Sequence, residues 1–292
     1  MTEKKDAEIP EISWINPFKS EVPGLLHKTY FSSSMNRLVG YGIYLPPDYK
    51  SAPVSNRIKK FPVIYWLNGK GGNESTGFNI RVPAMFHKAI TESLPGQAIM
   101  VFPNCGSYSM FCDSYDKKVM GETILIRELI PLVDSTYSTL RTRKARALEG
   151  FSMGGFGAVK LAFKYPELFC SVLTYAGSFH DIDSVSNARP EVFKAMFGSS
   201  ADYFQENSPY ILAEKNCEKI KKNLKLKFVN GSNDFTLENN YKLNLLLDKF
   251  GINYDFKLIN GYKHIPVSYY QTEGLDGFKF HLDNFNIIFS EN

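Results

Sequence analysis

Gly150-Phe151-Ser152-Met153-Gly154 is the stretch of this sequence that decides its fold. The pattern G-x-S-x-G is typical of a nucleophile elbow, a sharp strand-to-helix turn that presents a serine hydroxyl to solvent. Glycine is expected two residues before and after the serine, because a Cβ at either place would collide with neighbouring backbone. The pattern therefore predicts that Ser152 is a nucleophile held in a strained backbone conformation.

The residues on either side of this turn fit a strand and a helix. Upstream, Ala145, Ala147 and Leu148 form a short apolar run that is suited to a buried strand. Downstream, residues 153–165 are typical of a helix whose glycines allow close approach to a sheet, and Pro166 ends it. This context favours an elbow over a glycine-rich turn with an idle serine.

Apolar strands alternate with helical segments along the rest of the chain. The predicted strands are residues 25–31, 38–45, 61–67, 97–102, 170–176, 224–230 and 254–258. Apolar residues with the spacing of a helix occur in four segments. These are residues 78–93, residues 121–137 with Pro131 inside, the stretch that ends at Gly251, and the C-terminal part of the chain. The first two strands predict an antiparallel hairpin, and the continuous apolar run 61–67 is expected of a strand covered on both faces of a parallel sheet.

These residues resemble the putative esterase family of α/β-hydrolases, which includes feruloyl esterases, S-formylglutathione hydrolases and the antigen 85 mycolyltransferases. The similarity lies in residues 150–158, 164–169, 39–47, 67–72 and 128–131, and it covers most of the chain from about Leu25. The resemblance implies an α/β-hydrolase fold, with a mostly parallel central sheet, helices on both faces and an N-terminal antiparallel hairpin. It also implies acyl transfer from an ester or thioester to water or another alcohol.

The chain is read as an N-terminal arm over residues 1–24 and a single α/β-hydrolase domain over residues 25–292. This interpretation agrees with the length of 292 residues and the hydrophobic content of 43%, which suit one large domain with a full core. The resemblance suggests that an insertion around residues 177–210 forms a cap over the site.

Ser152 requires a base and an acid that orients the base, because an unassisted serine hydroxyl is a poor nucleophile at neutral pH. In α/β-hydrolases the order along the chain is serine, acid, histidine. Of the histidines after Ser152, only His264 lies in a loop directly after a predicted strand, and Asp234 lies in the equivalent loop of the preceding strand. The resemblance thus assigns the base to His264 and the acid to Asp234. Other acids that remain open are Asp181, Asp183 and Asp202.

The loop Asn68–Gly72 follows the buried strand at residues 61–67. In the family this loop supplies one of the two backbone N–H groups that bind the oxyanion, and the residue after the nucleophile supplies the other. Carried over to this chain, the donors are the N–H groups of Lys70 and Met153. Two such dipoles lower a barrier by several kcal/mol. The alternative is that the loop is a flexible turn.

Two further groups of side chains have open interpretations. The aromatic residues Tyr108, Phe111 and Tyr115 either line a substrate pocket or pack on the domain. His180 with Asp181 and Asp183 is predicted to be a solvated turn, because three nearly adjacent side chains do not easily converge on one metal ion. His281 lies beside an apolar stripe and is predicted to be structural.

Composition excludes several classes of protein. The net charge of +4 is mild and the lysines are scattered among acids, which does not suggest nucleic-acid binding. No apolar run is long enough to span a membrane. The N-terminal residues lack the apolar run of a signal peptide, so a soluble cytoplasmic protein is expected, with a secreted protein whose signal has been trimmed as the alternative.

The sequence does not imply a metal or a nucleotide cofactor, because HExxH, Cys-x-x-Cys and phosphate-loop patterns are absent from it. The four cysteines show no metal spacing, and Cys105 and Cys112 are expected to be free thiols, with a disulfide between them as the alternative in an oxidising compartment. No cofactor is therefore expected.

The leading hypothesis is a serine carboxylic-ester hydrolase, similar to feruloyl or acetyl esterases, which acts on small-molecule esters through an acyl-enzyme. An acyltransferase or thioesterase with the same triad is the nearest alternative. A hydrolase-fold binding protein without turnover is the alternative from another class.

Overall fold

A central sheet of eight strands organises the computed structural model, which describes residues 9–50 and 59–285. The strands are β1 (Leu25–Ser32), β2 (Arg37–Tyr44), β3 (Val63–Leu67), β4 (Ile99–Pro103), β5 (Arg146–Phe151), β6 (Ser171–Tyr175), β7 (Lys225–Gly231) and β8 (Asp255–Ile259). Their order across the sheet is β1-β2-β4-β3-β5-β6-β7-β8. Each predicted strand is present, with its ends shifted by up to two residues.

Strand β2 runs antiparallel to both of its neighbours, whereas β4, β3, β5, β6, β7 and β8 are parallel to one another. In the hairpin, Leu25 lies opposite Tyr44. These observations confirm the predicted α/β class, the mostly parallel sheet and the N-terminal antiparallel hairpin. Because the carboxyl ends of parallel strands share one edge, the loops after β3, β5, β7 and β8 meet there.

Helices cover both faces of the sheet. In the described residues they are α1 (Thr76–Asn79), α2 (Val82–Glu92), α3 (Gly121–Thr123), α4 (Ile130–Thr136), α5 (Met153–Lys164), α6 (Ile182–Ala188), α7 (Pro190–Phe197), α8 (Ala201–Glu206), α9 (Pro209–Lys215), α10 (Cys217–Asn223), α11 (Leu237–Phe250) and α12 (Pro266–Asn284). Short 3₁₀ turns at Pro47–Lys50 and Arg143–Ala145 complete the connections.

Two hydrophobic cores lie on opposite faces of the sheet, and the alternation of side chains along β3 divides it between them. Val63 and Tyr65 join the core that α5 and α11 cover. Ile64 and Trp66 join the core that α2 and α12 cover. Because both faces are buried, every residue of β3 is apolar or aromatic, which is why the strand was recognisable in the sequence.

The predicted helix at residues 121–137 is one continuous helical stretch, but it changes its winding before Pro131. A π-helical segment at Ile124–Leu129 connects α3 to α4. Proline lacks an N–H donor, and its ring collides with the carbonyl four residues earlier in a regular α-helix. A wider turn just before Pro131 accommodates the ring without breaking the helix.

The region predicted as a cap contains α6, α7 and α8, between β6 and β7. Val185, Val192 and Phe204 from these helices are buried in the same core as α5. The division into an arm and one domain stays a prediction, and residues 1–8 of the arm lie outside the described residues.

The longest of the described helices, α12, buries Tyr269, Tyr270 and Phe278 and also Glu273. Over the described ranges, no helix is both long and apolar enough to cross a membrane.

The thiols of Cys105 and Cys112 are free and buried. Burial raises the pKa of Cys112 to about 11, so this thiol stays protonated at neutral pH.

A buried ion pair links the start of the 121–136 helical stretch to α5. Lys160 is fully buried, and its Nζ contacts the carboxylate of Glu122 and donates to the carbonyl oxygen of Phe111 at 2.9 Å. Lys164 Nζ lies 2.8 Å from the other oxygen of the Glu122 carboxylate. Burial alone would raise the pKa of Glu122, but the two ammonium charges outweigh it and lower that pKa to about 2.

Replacing Lys160 with methionine is expected to lower the free energy of unfolding by about 3 kcal/mol, because it leaves the buried Glu122 charge without its closest partner. Urea denaturation at pH 7 measures the loss. Lys164→Met is the control, since that partly exposed side chain should contribute less. Equal stability of the two variants would contradict the prediction.

In the wild type, the stability supplied by Glu122 is complete above its usual pKa of 4.5 and is lost as pH falls towards 2.

Candidate active site

Ser152 occupies the turn between β5 and α5 in a backbone conformation that L-residues rarely adopt. Its φ is 57° and its ψ is −116°. The turn requires glycine nearby, because a Cβ on Gly150 would lie 2.2 Å from the carbonyl oxygen of Gly154, and one on Gly154 would lie 2.0 Å from that of Leu67. The predicted strain at Ser152 is therefore present, and it directs the hydroxyl towards the carboxyl edge of the sheet.

His264 lies in the loop after β8, and its Nε2 is 2.8 Å from the Oγ of Ser152. Asp234 lies in the loop after β7, and both of its carboxylate oxygens are 2.9 Å from His264 Nδ1. Backbone hydrogen bonds join the two loops, from the N–H of Asn233 to the carbonyl of Tyr262 at 3.0 Å. Residues separated by more than 100 positions are thus brought into one hydrogen-bonded chain of three side chains.

The carboxylate of Asp234 is buried and accepts hydrogen bonds from two residues besides His264. The N–H and the hydroxyl of Thr236 donate to Oδ1 at 2.9 and 2.7 Å, and the hydroxyl of Tyr269 donates to Oδ2 at 2.9 Å. Burial alone would raise the pKa of Asp234, but the hydrogen bonds from His264 and Thr236 outweigh it and hold that pKa below its usual value. Asp234 is therefore ionised at neutral pH.

Two aromatic rings hold the imidazole of His264. The ring of Phe151 lies 4.6 Å from it and that of Phe235 lies 4.3 Å from it, measured between centroids. Sequence reasoning missed Thr236, Tyr269 and Phe235. Only Thr236 left a signal, because a threonine two residues after an aspartate and just before a helix often donates to the aspartate.

Lys70 and Met153, the two predicted oxyanion donors, line a small recess together with Ser152. A Cβ on Gly69 would lie 3.6 Å from the Cβ of Ser152, so the loop after β3 packs directly against the elbow. Neither N–H donates to an acceptor in the described part of the chain. Met153 is the first residue of α5, where helix N–H groups point outwards. The oxyanion role of both residues stays a prediction.

A cavity of about 310 Å³ opens above Ser152. Its apolar lining comes from Trp66, Ile80, Phe151, Phe235 and Pro266. The three aromatic residues of the loop after β4 are not part of this lining. Phe111 is fully buried against Gly157, and Tyr115 packs edge-on against Tyr203 at 5.4 Å. The aromatic wall therefore comes from the sheet edge itself rather than from that loop.

The prediction of a solvated turn is wrong for His180, because only 8% of this residue is exposed, whereas Asp183 is exposed as expected. Val185 of α6 and Val192 of α7 line the same small recess as His180. Burial, followed by the charge of Arg189, lowers the pKa of His180 to about 4, so the imidazole is neutral at pH 7. Asp181 instead caps α6 by accepting from the N–H of Ser184 at 2.8 Å. No group of metal-ligating side chains occurs among the described residues.

The remaining candidates do not meet Ser152. His281 is fully buried, and its Nδ1 lies 2.8 Å from the hydroxyl of Ser171, which confirms its predicted structural role. Among the four aspartates considered, Asp234 is the one that contacts His264. Asp202 lies in the first turn of α8 and is exposed.

Comparison with known proteins gives a consistent picture. A family model described as putative esterase matches residues 32–257. Esterase Rv1288 of Mycobacterium tuberculosis is 30% identical over 159 residues, which are 53% of this chain and 32% of that protein. The chain therefore matches only about a third of the length of this curated relative.

Solved structures with the same fold include a ferulic acid esterase, with a TM-score of 0.76 and 21% identity, in which the match covers 90% of this chain and 98% of that one. The fluorophosphonate-binding serine hydrolase F of Staphylococcus aureus has a TM-score of 0.77 and 18% identity, with 88% and 98% covered. At these identities the likeness shows the fold, which is that of α/β-hydrolases.

Proposed function

Because the chain belongs to the putative esterase family, we propose that it is a serine carboxylic-ester hydrolase that works through an acyl-enzyme. Family membership also agrees with the expectation of a carboxylesterase-type enzyme. The observation that carries the proposal is the hydrogen-bonded chain from Ser152 Oγ through His264 to Asp234, with distances of 2.8 and 2.9 Å. Such a chain activates a hydroxyl that would otherwise be inert.

In the proposed first step, Ser152 Oγ attacks the carbonyl carbon of the ester while His264 Nε2 takes its proton. The carbonyl oxygen becomes an oxyanion that accepts hydrogen bonds from the N–H groups of Lys70 and Met153. The tetrahedral intermediate then breaks its bond to the alcohol oxygen, and His264 gives its proton to that oxygen. The alcohol leaves, and the acyl group stays on Ser152.

In the second step, His264 takes a proton from water as the water oxygen attacks the acyl carbon. Collapse of the new intermediate releases the carboxylic acid and returns the proton to Ser152 Oγ. Throughout, the ionised Asp234 holds the Nδ1–H tautomer of His264 and stabilises the imidazolium that forms at each transfer.

The substrate class follows from the cavity above Ser152. Its volume of about 310 Å³ and its apolar lining suit an aromatic ring or a short aliphatic chain on the ester. The ferulic acid esterase with the same fold is a precedent for an aromatic acyl group. We therefore propose small acyl or aromatic acyl esters as substrates.

A fluorophosphonate probe and a substrate panel test the proposed function. We expect a covalent adduct at Ser152, located by mass spectrometry of the peptides, and turnover of acetyl, butyryl or feruloyl esters. Absence of both the adduct and turnover would favour a binding protein with this fold. Product analysis with an added alcohol separates hydrolysis from acyl transfer, and thioesters in the panel test the thioesterase alternative.

Asp234→Asn is expected to lower kcat by a factor of about 10² to 10⁴, because the amide no longer selects the productive tautomer of His264. Thr236 can still donate to the amide oxygen, and the Tyr269 hydroxyl can accept from the amide NH2, so the fold should be retained, and thermal unfolding checks this. Asp202→Asn is the matched control on an exposed acid and should leave kcat unchanged. An unaffected rate in Asp234→Asn would assign the acid to another residue.

A further inference from the structure

Two cationic side chains, Lys70 and Arg189, line the cavity above Ser152 and also a smaller recess next to it. The smaller recess has a volume of about 30 Å³ and is also lined by Met153, Ser178 and His180. This volume holds one or two water molecules or a group of similar size, such as a carboxylate. Lys70 and Arg189 therefore border both the cavity and the recess, and Ser152 borders both as well.

No acidic residue lines either space. Within residues 9–50 and 59–285, the guanidinium of Arg189 makes no hydrogen bond or ion pair, although the residue is only partly exposed. Burial, followed by the charge of Arg189, lowers the pKa of Lys70, and the charge of Glu191 acts in the opposite direction. Among the described residues, no carboxylate thus forms an ion pair with either cation beside Ser152.

His180 provides an independent sign of a ligand in the smaller recess. The residue is more than nine-tenths buried, and its Nδ1 has no hydrogen-bond partner among the described residues. A buried polar atom without a partner destabilises the fold by about 1–3 kcal/mol, and a bound group that pairs with it would remove this cost. The neutral imidazole has one N–H to donate, and His180 is among the residues that line the smaller recess.

We propose that Arg189, together with Lys70 and His180, binds a negatively charged group of the ester substrate, most simply a carboxylate. Arg189 is then a specificity-determining residue, because a guanidinium binds a carboxylate through two parallel hydrogen bonds. This inference rests on the proposed esterase function and narrows its substrate class to anionic esters. The charge is carried either by the acyl part or by the alcohol part, since Arg189 lines both spaces.

Two pairs of esters test the proposal and separate the two positions of the charge. The first pair is 4-acetoxybenzoate and its methyl ester, in which the alcohol part carries or lacks the carboxylate. The second pair is mono-4-nitrophenyl glutarate and its methyl ester, in which the acyl part carries or lacks the carboxylate. We expect Arg189→Gln to lower kcat/KM about 10-fold or more on the anionic member of at least one pair. Its effect on the neutral member should be within about 2-fold.

Arg189→Lys should retain part of the preference for the anionic over the neutral ester, because it keeps the positive charge. Arg141→Gln changes an exposed arginine away from the site and should retain the whole preference. Since the Arg189 side chain has no partner to lose, Arg189→Gln should fold normally, which thermal unfolding checks. An equal effect of Arg189→Gln on both members of both pairs, or no effect, would overturn the proposal.

Binding distinguishes a failure of this inference from a failure of the proposed function. If the wild type hydrolyses none of the four esters, the esterase function fails, and calorimetry with 4-hydroxybenzoate and glutarate still decides the anion site. We expect at least one of them to bind and Arg189→Gln to weaken that binding by about 10-fold. Binding of neither anion would overturn the inference.

Discussion

Ser152→Ala is expected to lower kcat on 4-nitrophenyl acetate by a factor of about 10³ to 10⁶, because it removes the atom that forms the acyl-enzyme. The loss should fall on kcat rather than on KM, since the apolar cavity that binds the ester is unchanged. Residual turnover would come from the oxyanion donors and from binding alone. Steady-state kinetics and the loss of the fluorophosphonate adduct measure the effect together.

The Ser152→Ala protein should be at least as stable as the wild type. The backbone at Ser152 is strained in either case, but the serine hydroxyl adds polar contacts that exist for catalysis rather than for packing. Ser135→Ala, on an exposed serine of α4, is the matched control and should leave kcat unchanged. Turnover in Ser152→Ala within about 10-fold of the wild type would remove the proposed mechanism.

The elbow and the buried strand β3 were predictable because each depends on local chemistry. The run at β3 is apolar or aromatic at every position, since both faces of that strand are covered. Glycine is required on either side of Ser152, because a Cβ there would lie within 2.2 Å of a carbonyl oxygen. Such constraints act residue by residue, so they leave a clear pattern in the sequence.

His264 and Asp234 were also predictable, but for a different reason. In a parallel sheet, loops after neighbouring strands meet at one edge, so a histidine after β8 and an acid after β7 are neighbours. Their positions follow from topology once the fold class is known. The contacts of Tyr269 with Asp234 depend on how α12 lies across that edge, which no local pattern encodes.

The environment of His180 could not be predicted from the sequence. A solvated turn was expected there because three nearly adjacent side chains do not easily converge on one metal ion. Val185 of α6 and Val192 of α7 reach the core and line the same small recess as His180. A few apolar residues in a polar segment thus determine how deeply His180 is buried. They also help to form the small recess beside Ser152.

His264→Ala is expected to lower kcat by a factor of about 10³ to 10⁶, similar to Ser152→Ala, because a nucleophile and its base act as a unit. Without the imidazole, no described group takes over the hydrogen bond of 2.8 Å that activates Ser152 Oγ. The Ser178 hydroxyl, 3.2 Å away, is too weak a base at neutral pH. The fluorophosphonate reaction should therefore slow by a similar factor.

Added imidazole gives the sharper test of His264→Ala. The substitution leaves a space between the rings of Phe151 and Phe235, which lie within 4.6 Å of the native imidazole. A free imidazole that enters this space finds Asp234 ready to orient it, so we expect turnover to rise with imidazole concentration and to saturate. In Ser152→Ala the same addition should give only the hydrolysis that imidazole catalyses in solution without protein, because the protein has no nucleophile left to activate. His87→Ala is the control. His87 lies on α2 and forms a hydrogen bond with the Tyr44 hydroxyl away from the site, so this variant should keep kcat near the wild-type value. Full activity of His264→Ala without imidazole would show that Ser152 is activated by another group or is not the nucleophile.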